Sequence, residues 1–475
     1  YMVSTTMHFM PGCEILQSFD LVHWEHVTYV YETLDHTDAQ QLKSGQNIYG
    51  QGMWAASLRY HEGRFYICFV ANDTRKTYLY TSEKIDGPWK KQLIEGFYHD
   101  GSLLFDEDGR NYIVYGNDEI WITELNEDLT APKKDGLHRL LVSDHKNPEL
   151  GYEGSHIQKI NGYYYIFLVH SLRDRWMRTE ACFYSDSLEG EFTGGDVLCD
   201  DRGYCGQGVA QGGIVDTPDG KWYAMLFQDS GAVGRIPILL PVTWKDHFPV
   251  FGQNGHVPEE IEVHSTRPGY IYQPLVGSDD FCNGLLPRWQ FNHDPDPRYY
   301  HLDALQGTYT ITTREVCTEL TQAVNTLTQR MSYPSCAAEV TVDASALKEG
   351  DVAGLCALQG CYAAVGITKH HGKYEVLMLD KKEDGILDMT EGTVVESHQM
   401  DFRLEADFCN MKDEARCYYR VNKGDWLPIG TVHKLYFKLD HFTGCRFGLF
   451  CYAAEETGGS ACFRDFKYYD VDEIS

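Results

Sequence analysis

The sequence predicts an all-β protein, a five-bladed β-propeller followed by a β-sandwich. Three observations carry that prediction. A phrase made of a turn and then a strand with an aromatic near its start recurs along the chain as far as Gly252. Beyond Gly252 the phrase stops, and apolar–polar alternation punctuated by turn residues replaces it. Long amphipathic helical patterns are nearly absent throughout.

The blades can be taken in order. His61-Glu62-Gly63-Arg64 leads into FYICFVA, and Glu107-Asp108-Gly109-Arg110 into NYIVYGN. Ile160-Asn161-Gly162-Tyr163 leads into YYIFLVH, and Pro218-Asp219-Gly220-Lys221 into WYAMLFQ. Ahead of these turns lie further strands, MWAASLRY, HDGSLLFD, YEGSHIQKI and QGGIVDTP. Trp54, Asp100, Glu153 and Gln211 mark a loose period of about 50 residues, the spacing of propeller blades. The opening YMVSTTM supplies the fifth strand of this kind but has no turn before it, so the first blade is expected without its inner strand.

The propeller is assigned to residues 1–252 and a connector with Pro258, Pro268 and Pro274 to 253–275. The sandwich is assigned to 276–475, from strands such as TYTITTR, CAAEVTVDA, YAAVGITK and KYEVLMLD.

Composition narrows the partners. The 475 residues include 70 acidic against 41 basic, a net charge of −29. Such a surface repels phosphate backbones and anionic lipid, which leaves no expectation of nucleic-acid or membrane binding. Neutral substrates such as sugars suit it, although solubility alone accounts for the size of the charge. The 15 cysteines contain no CxxC pair, and several, such as Cys68 and Cys182, sit among apolar neighbours. Reduced thiols in a bacterial cytoplasmic protein is the favoured reading. Secretion stays open because the chain begins at Tyr1; Asn72-Asp73-Thr74, a glycosylation sequon, would matter only then. No apolar stretch approaches the length of a membrane span.

Two carboxylates stand out. Asp100, in His99-Asp100-Gly101-Ser102, and Glu153, in Tyr152-Glu153-Gly154-Ser155-His156, begin inner strands of successive blades. Read as matched positions, they face each other across the propeller axis. Mutual repulsion then raises the pKa of one, as a general acid working near neutral pH requires. A single acid beside glycine would more simply tie down its own turn; the matched pair and its aromatic neighbours favour chemistry. Arg235 falls within the apolar run AVGRIPILLPVTW and needs either a carboxylate or a ligand's hydroxyls. Trp54 and Phe9 flank strand starts and could stack on sugar rings, though each taken alone fits a core position as well. Gly206-Gln207-Gly208 lacks the rest of a dinucleotide fingerprint, and HExxH, GxSxG and Walker A patterns are missing.

At these residues the chain resembles glycoside hydrolase family 43, the β-xylosidases and α-L-arabinofuranosidases. The resemblance rests on MPGCEILQSFDLVHWE, WAASLRYHEGRFYICF, HDGSLLFDEDGRNYIVYG, YEGSHIQKINGYYYIF, GGIVDTPDGKWYAML and GRIPILLPVTW. WQFNHDPDP, NTLTQR and GDVAGLCALQGCY resemble the concanavalin-like (jelly-roll) sandwich that follows the propeller in β-xylosidases of this family. The resemblance implies an inverting glycosidase. Glu153 matches the general acid, Asp100 the residue that raises its pKa and orients it, and Arg235 the sugar-binding arginine. Trp54 and Phe9 match pocket-lining positions, and His156 and Gln211 on the same inner strands are assigned to substrate with them.

There are departures from the family pattern. Its catalytic base is an Asp just ahead of the strand that YMVSTTM resembles, so a base is expected from residues preceding Tyr1 or from another chain. Ala56-Ser57 replaces a usual Pro-Asp. Ala210-Gln211 stands where many members carry a histidine associated with a central metal or water, which lowers the expectation of calcium.

The function expected is an exo-acting glycosidase that releases xylose or arabinofuranose from the non-reducing ends of xylan-derived oligosaccharides. No cofactor is expected, and a structural calcium is unsupported. The partner is a neutral oligosaccharide, with homo-oligomerisation left open. The alternative is a carbohydrate-binding protein without turnover, given the missing base. Fructan-cleaving relatives carry Asn-Asp-Pro-Asn-Gly and Arg-Asp-Pro phrases, which this chain lacks. The sandwich is expected to cap the pocket or to mediate assembly.

Overall fold

Five antiparallel sheets surround one axis in the computed structural model, which describes residues 1–390 and 392–470. The last residues of the predicted sandwich segment, 471–475, lie outside the described residues. The first blade has three strands, Met2–Ser4, Gly12–Gln17 and Glu25–Tyr31, and each of the other four blades has four. Their inner strands are Ser57–His61, Ser102–Phe105, Glu153–Ile160 and Ala210–Asp216.

The recurring turn phrase has a conformational cause. In blades two and four His61 pairs with Arg64 and Ile160 with Tyr163, which leaves two-residue hairpin loops. Both central residues take positive φ, Glu62 and Gly63 at 46° and 79° and Asn161 and Gly162 at 51° and 86°. That is the turn whose twist matches a hairpin, and glycine bears it without strain.

Adjacent blades bury aromatic and branched residues face to face. Leu104, Tyr112, Val114 and Ile120 of the third blade pack on Ile157, Tyr164, Ile166 and Leu168 of the fourth. On the axis, Arg59 ties three inner strands together. Its Nε donates to the Leu103 carbonyl (2.8 Å), and its Nη2 donates to Ser102 Oγ (2.7 Å) and the Ile157 carbonyl (2.9 Å).

The second unit is a sandwich of two large antiparallel sheets. One is centred on Asp351–Leu358 and Arg446–Ala453, the other on Ser335–Asp343 and Gln399–Asp407. Leu355, Val365 and Leu449 face Val340, Phe402 and Leu404 across the core.

Propeller and sandwich interlock more deeply than a clean division at the connector implies. The short strand Phe9–Met10, within the segment assigned to the propeller, pairs with Phe291 and Asn292 and joins a sandwich sheet. Ala232, in a propeller turn, is buried in the sandwich core. The connector packs on other elements as it runs: Val257 N–H donates to Asp200 (2.8 Å), Thr266 N–H to the Phe19 carbonyl (2.7 Å) and Gln273 N–H to Glu25 (2.9 Å). All 15 cysteines are free. Among the described residues no helix is long and apolar enough to cross a membrane.

Candidate active site

The inner strands of blades four and five enter through bulges. Glu153 opposes Val169 while His156 opposes Phe167, and Ala210 opposes Phe227 while Gly213 opposes Met225. Each strand therefore fits one extra residue against its neighbour. In blade three Ser102 pairs with Val114, and the His99 carbonyl accepts from Gly116 N–H, the same relationship.

His99, Glu153 and Ala210 are thus the equivalent positions, followed by Asp100, Gly154 and Gln211, all with left-handed φ of 48°, 67° and 64°. This corrects the matching of Asp100 with Glu153: the two acids are offset by one residue. A one-residue offset turns a strand side chain to the other face. The bulge brings the acids together nonetheless, because Asp100 turns toward blade four and accepts a hydrogen bond from Gly154 N–H at 2.9 Å.

The acids and His99 form one cluster. One side-chain donor atom from each of His99, Asp100 and Glu153 lies within 4.8 Å of the others. His99 Nε2 sits 3.5 Å from Asp100 Oδ2 and 3.7 Å from Glu153 Oε2. Asn117 donates to Glu153 Oε2 at 2.9 Å. Burial, with the Glu153 charge adding to it, pushes the Asp100 carboxyl up, although His99 opposes the shift. Burial pushes Glu153 up as well, but the His99 imidazole beside it and the charges of Arg178 and Arg235 outweigh it and hold this carboxyl below its ordinary value. In the free site the raised member of the pair is Asp100.

A ring of alternating aromatic and cationic side chains continues from this cluster. Trp54 lies 6.0 Å from the His99 ring and meets Phe442 edge-on at 5.4 Å. The Arg235 guanidinium is held between Phe442 and Phe227, 4.4 Å from each ring. Arg178 follows at 5.6 Å from Phe227. The buried carboxylate of Asp229 joins the two arginines, accepting from Arg178 Nε at 3.0 Å and from Arg235 Nε at 3.3 Å. Burial and the neighbouring Arg178 charge push Arg235 down to about 10.

Phe442 belongs to the sandwich, which also secures the turn between Asp229 and Arg235. Ala232 N–H donates to Asp413 (3.0 Å), and the Ala232 carbonyl accepts from Cys445 N–H (2.8 Å). The second unit therefore supplies one wall of the site and positions another.

Comparison with known proteins follows from this geometry. Residues 1–249 match Glycosyl hydrolases family 43, and residues 278–469 match the Beta xylosidase C-terminal Concanavalin A-like domain. The chain belongs to glycosyl hydrolase family 43. It is 26% identical to a beta-xylosidase of Formosa agariphila over 99% of this chain and 86% of that protein. It is 24% identical to a non-reducing end alpha-L-arabinofuranosidase of Bacteroides ovatus over 65% of this chain and 60% of that one. A bifunctional GH43-CE protein of Bacteroides eggerthii superposes with a TM-score of 0.91 at 42% identity, over 100% of this chain. The chain spans 61% of the length of that structure.

Not every residue expected at a family 43 pocket lies in this one. Phe9 is fully buried among sandwich residues, under the Arg446 guanidinium at 3.7 Å. The reason is local: Met7 adopts φ 52°, and Phe9 then enters the strand that joins the sandwich sheet. Met7 is the residue of this segment beside Trp54, exchanging two 3.1 Å backbone hydrogen bonds with Met53. Its sulfur accepts from Thr443 Oγ1 at 3.6 Å, next to Phe442.

His156 lies farther along the axis, where burial and the Arg59 charge push it down to about 4. Gln211 packs against Gly154, and its N–H donates to Glu180 at 2.7 Å. His156, an imidazole beside the Arg59 guanidinium, is a poor ligand for a cation.

His99, Arg178, Asp229 and Phe442 escaped the sequence reading. Only Asp229 left a signal, an acid just before the Gly-containing turn to Arg235.

Proposed function

We propose that this family 43 protein is an inverting exo-glycosidase that removes xylose or arabinofuranose from the non-reducing ends of xylan-derived oligosaccharides. The spacing of the two acids carries the reading. An acid and a base acting on opposite faces of a sugar stand roughly 6.5–9.5 Å apart, and an acid–nucleophile pair about 5–5.5 Å. One oxygen of Asp100 and one of Glu153 lie within 4.8 Å of each other, closer than an acid and an opposite-face base stand. Asp100 is therefore assigned as the partner of the acid, on the same side of the sugar.

Glu153 protonates the leaving oxygen while water attacks the anomeric carbon from the opposite face and gives its proton to a base other than Asp100 and Glu153. The two carboxyls interact and titrate as a pair. Water expelled by a bound sugar takes solvation from the Glu153 anion and raises its pKa toward that of a proton donor. Asp100, fixed by Gly154 N–H, orients the acid through the strand that carries it. Arg235 donates to hydroxyls of the terminal sugar, with Trp54 and Phe442 against its ring. Trp54 Nε1 is buried without a partner and is available to a sugar hydroxyl. Closure of the site by Phe442 suits a pocket for chain ends.

The test is hydrolysis of 4-nitrophenyl β-D-xylopyranoside and 4-nitrophenyl α-L-arabinofuranoside, side by side. Turnover of either supports the reading, and the faster substrate names the activity. Binding of xylobiose without turnover of either glycoside would support a carbohydrate-binding protein instead.

A further inference from the structure

Arg178 carries an unused hydrogen-bonding group beside the acid. It is 5% exposed, and its Nε is committed to Asp229 at 3.0 Å. Its Nη1 is buried and has no acceptor among the described residues. A buried donor on a charged group is costly to leave unpaired, so native structures satisfy it unless a ligand does so. Arg178 also stands between two aromatic rings, Phe227 on the inside and Trp176 at 5.2 Å on the outside. Trp176 is 43% exposed, a large apolar face at the solvent side of the guanidinium.

The position of Arg178 in the ring decides what it can reach. Arg235 and Phe442 lie beyond Phe227, on the side assigned to the terminal sugar. Arg178 sits on the third strand of blade four, the blade whose inner strand begins at Glu153, whereas Arg235 belongs to blade five. The Arg178 charge acts on the Glu153 carboxyl ahead of that of Arg235. An acid that protonates a glycosidic oxygen has the terminal sugar on one side and the leaving sugar on the other.

Resting on the glycosidase reading above, we propose that Arg178 is a substrate-contacting residue for the leaving sugar, donating from Nη1 to one of its hydroxyls while Trp176 forms the outer wall of that subsite. The shared carboxylate of Asp229 then couples the two sides of the scissile bond, because it orients both guanidiniums.

The experiment is equilibrium titration in a Glu153→Gln background, where turnover does not interfere and the ionisation of Glu153 plays no part. Xylose occupies the terminal site only; xylobiose occupies both. Adding Arg178→Gln should weaken xylobiose roughly tenfold or more, the loss of one hydrogen bond from a charged donor, and change xylose less than threefold. Trp176→Ala is on an exposed side chain and spares the core, and it should weaken xylobiose about threefold to fivefold with xylose unaffected. Equal weakening of both ligands would place Arg178 at the terminal sugar and overturn the assignment, as would no change in either. If Arg178→Gln does not fold, the Trp176→Ala result decides alone. Failure of the Glu153→Gln parent to bind xylose or xylobiose would sink the functional reading, and the assignment with it.

Discussion

His99 and Glu153 occupy the same place on successive blades, and the His99 imidazole reaches back to within 3.7 Å of the Glu153 carboxylate. One blade later the same position is Ala210. The site is therefore asymmetric by construction: a base, an acid and a methyl group stand at three equivalent bulges around the axis. Charge collects on the side of blades three and four, where the acid chemistry is assigned.

Glu153→Gln should lower kcat/KM on xylobiose by about 10²–10⁴, the usual contribution of a general acid. A xyloside with a dinitrophenolate leaving group, which departs without a proton, should retain most of its rate. Equal losses on both substrates would count against the acid assignment.

His99→Ala should move the alkaline limb of the kcat/KM profile to higher pH. His99 lowers the Glu153 carboxyl from 3.7 Å away, so removing it raises that pKa. An acid stays protonated, and active, up to its pKa, so the sign of the shift is upward. A pH–rate series on wild type and variant checks it; an unmoved or lowered limb would show that His99 does not tune the acid.

Phe442→Ala should raise KM on both nitrophenyl glycosides, with a loss in kcat/KM of roughly tenfold. The ring packs on the Arg235 guanidinium and on Trp54, so its removal loosens two walls of the site at once. Initial-rate kinetics measure the effect. An unchanged KM would mean that the sandwich does not shape the pocket.

Gly444→Ala should destabilise the junction between the units by roughly 1–3 kcal/mol. A Cβ there would stand 2.0 Å from the Val233 carbonyl oxygen, and Gly444 already has φ 96°. Gly234, which precedes Arg235, lies on the other side of the same approach. Thermal unfolding and activity should therefore fall together, and a variant with native Tm and full activity would refute the coupling.

Stability should decline as pH falls below about 6.5, partly through His8 and His293. Both are fully buried at the junction, their tilted rings 4.8 Å apart, with Tyr49 and His441 against them. Burial lowers His8, assisted by the charges of His293, His441 and Arg446; burial and His441 lower His293 to about 3. A base with a depressed pKa stays neutral in the native state while the unfolded chain takes up the proton. Its contribution is complete above the unfolded value and shrinks with acid, by about 1.4 kcal/mol per pH unit for each ring. His8→Phe, which keeps an aromatic ring against Phe9, should flatten the dependence of Tm on pH between 7 and 5. An unaltered slope would exclude His8 as a contributor.

The fold was legible because its units are local. A propeller blade is a run of hairpins, and each hairpin announces itself through adjacent residues such as Asn161-Gly162. The acids were legible for the same reason, each standing at the start of an inner strand. Their register was not: Asp100-Gly101-Ser102 and Glu153-Gly154-Ser155 align through their shared Gly-Ser, whereas the strand pairing makes His99 the counterpart of Glu153. Phe9 misled for a related reason, since a single left-handed residue, Met7, sends it into the sandwich.

The sequence by itself determined the all-β class, the blade repeat and the presence of Asp100, Glu153, Arg235 and Trp54, because hydrophobic period and turn chemistry act over a few residues. Only the tertiary structure decided the company these residues keep. Phe442 comes from the second unit, and Arg178 and Arg235 meet through Asp229, which lies on a different strand from each. Such contacts join positions far apart in the chain, and no local pattern encodes them; they exist only once both cores have packed and the two units have closed on the axis.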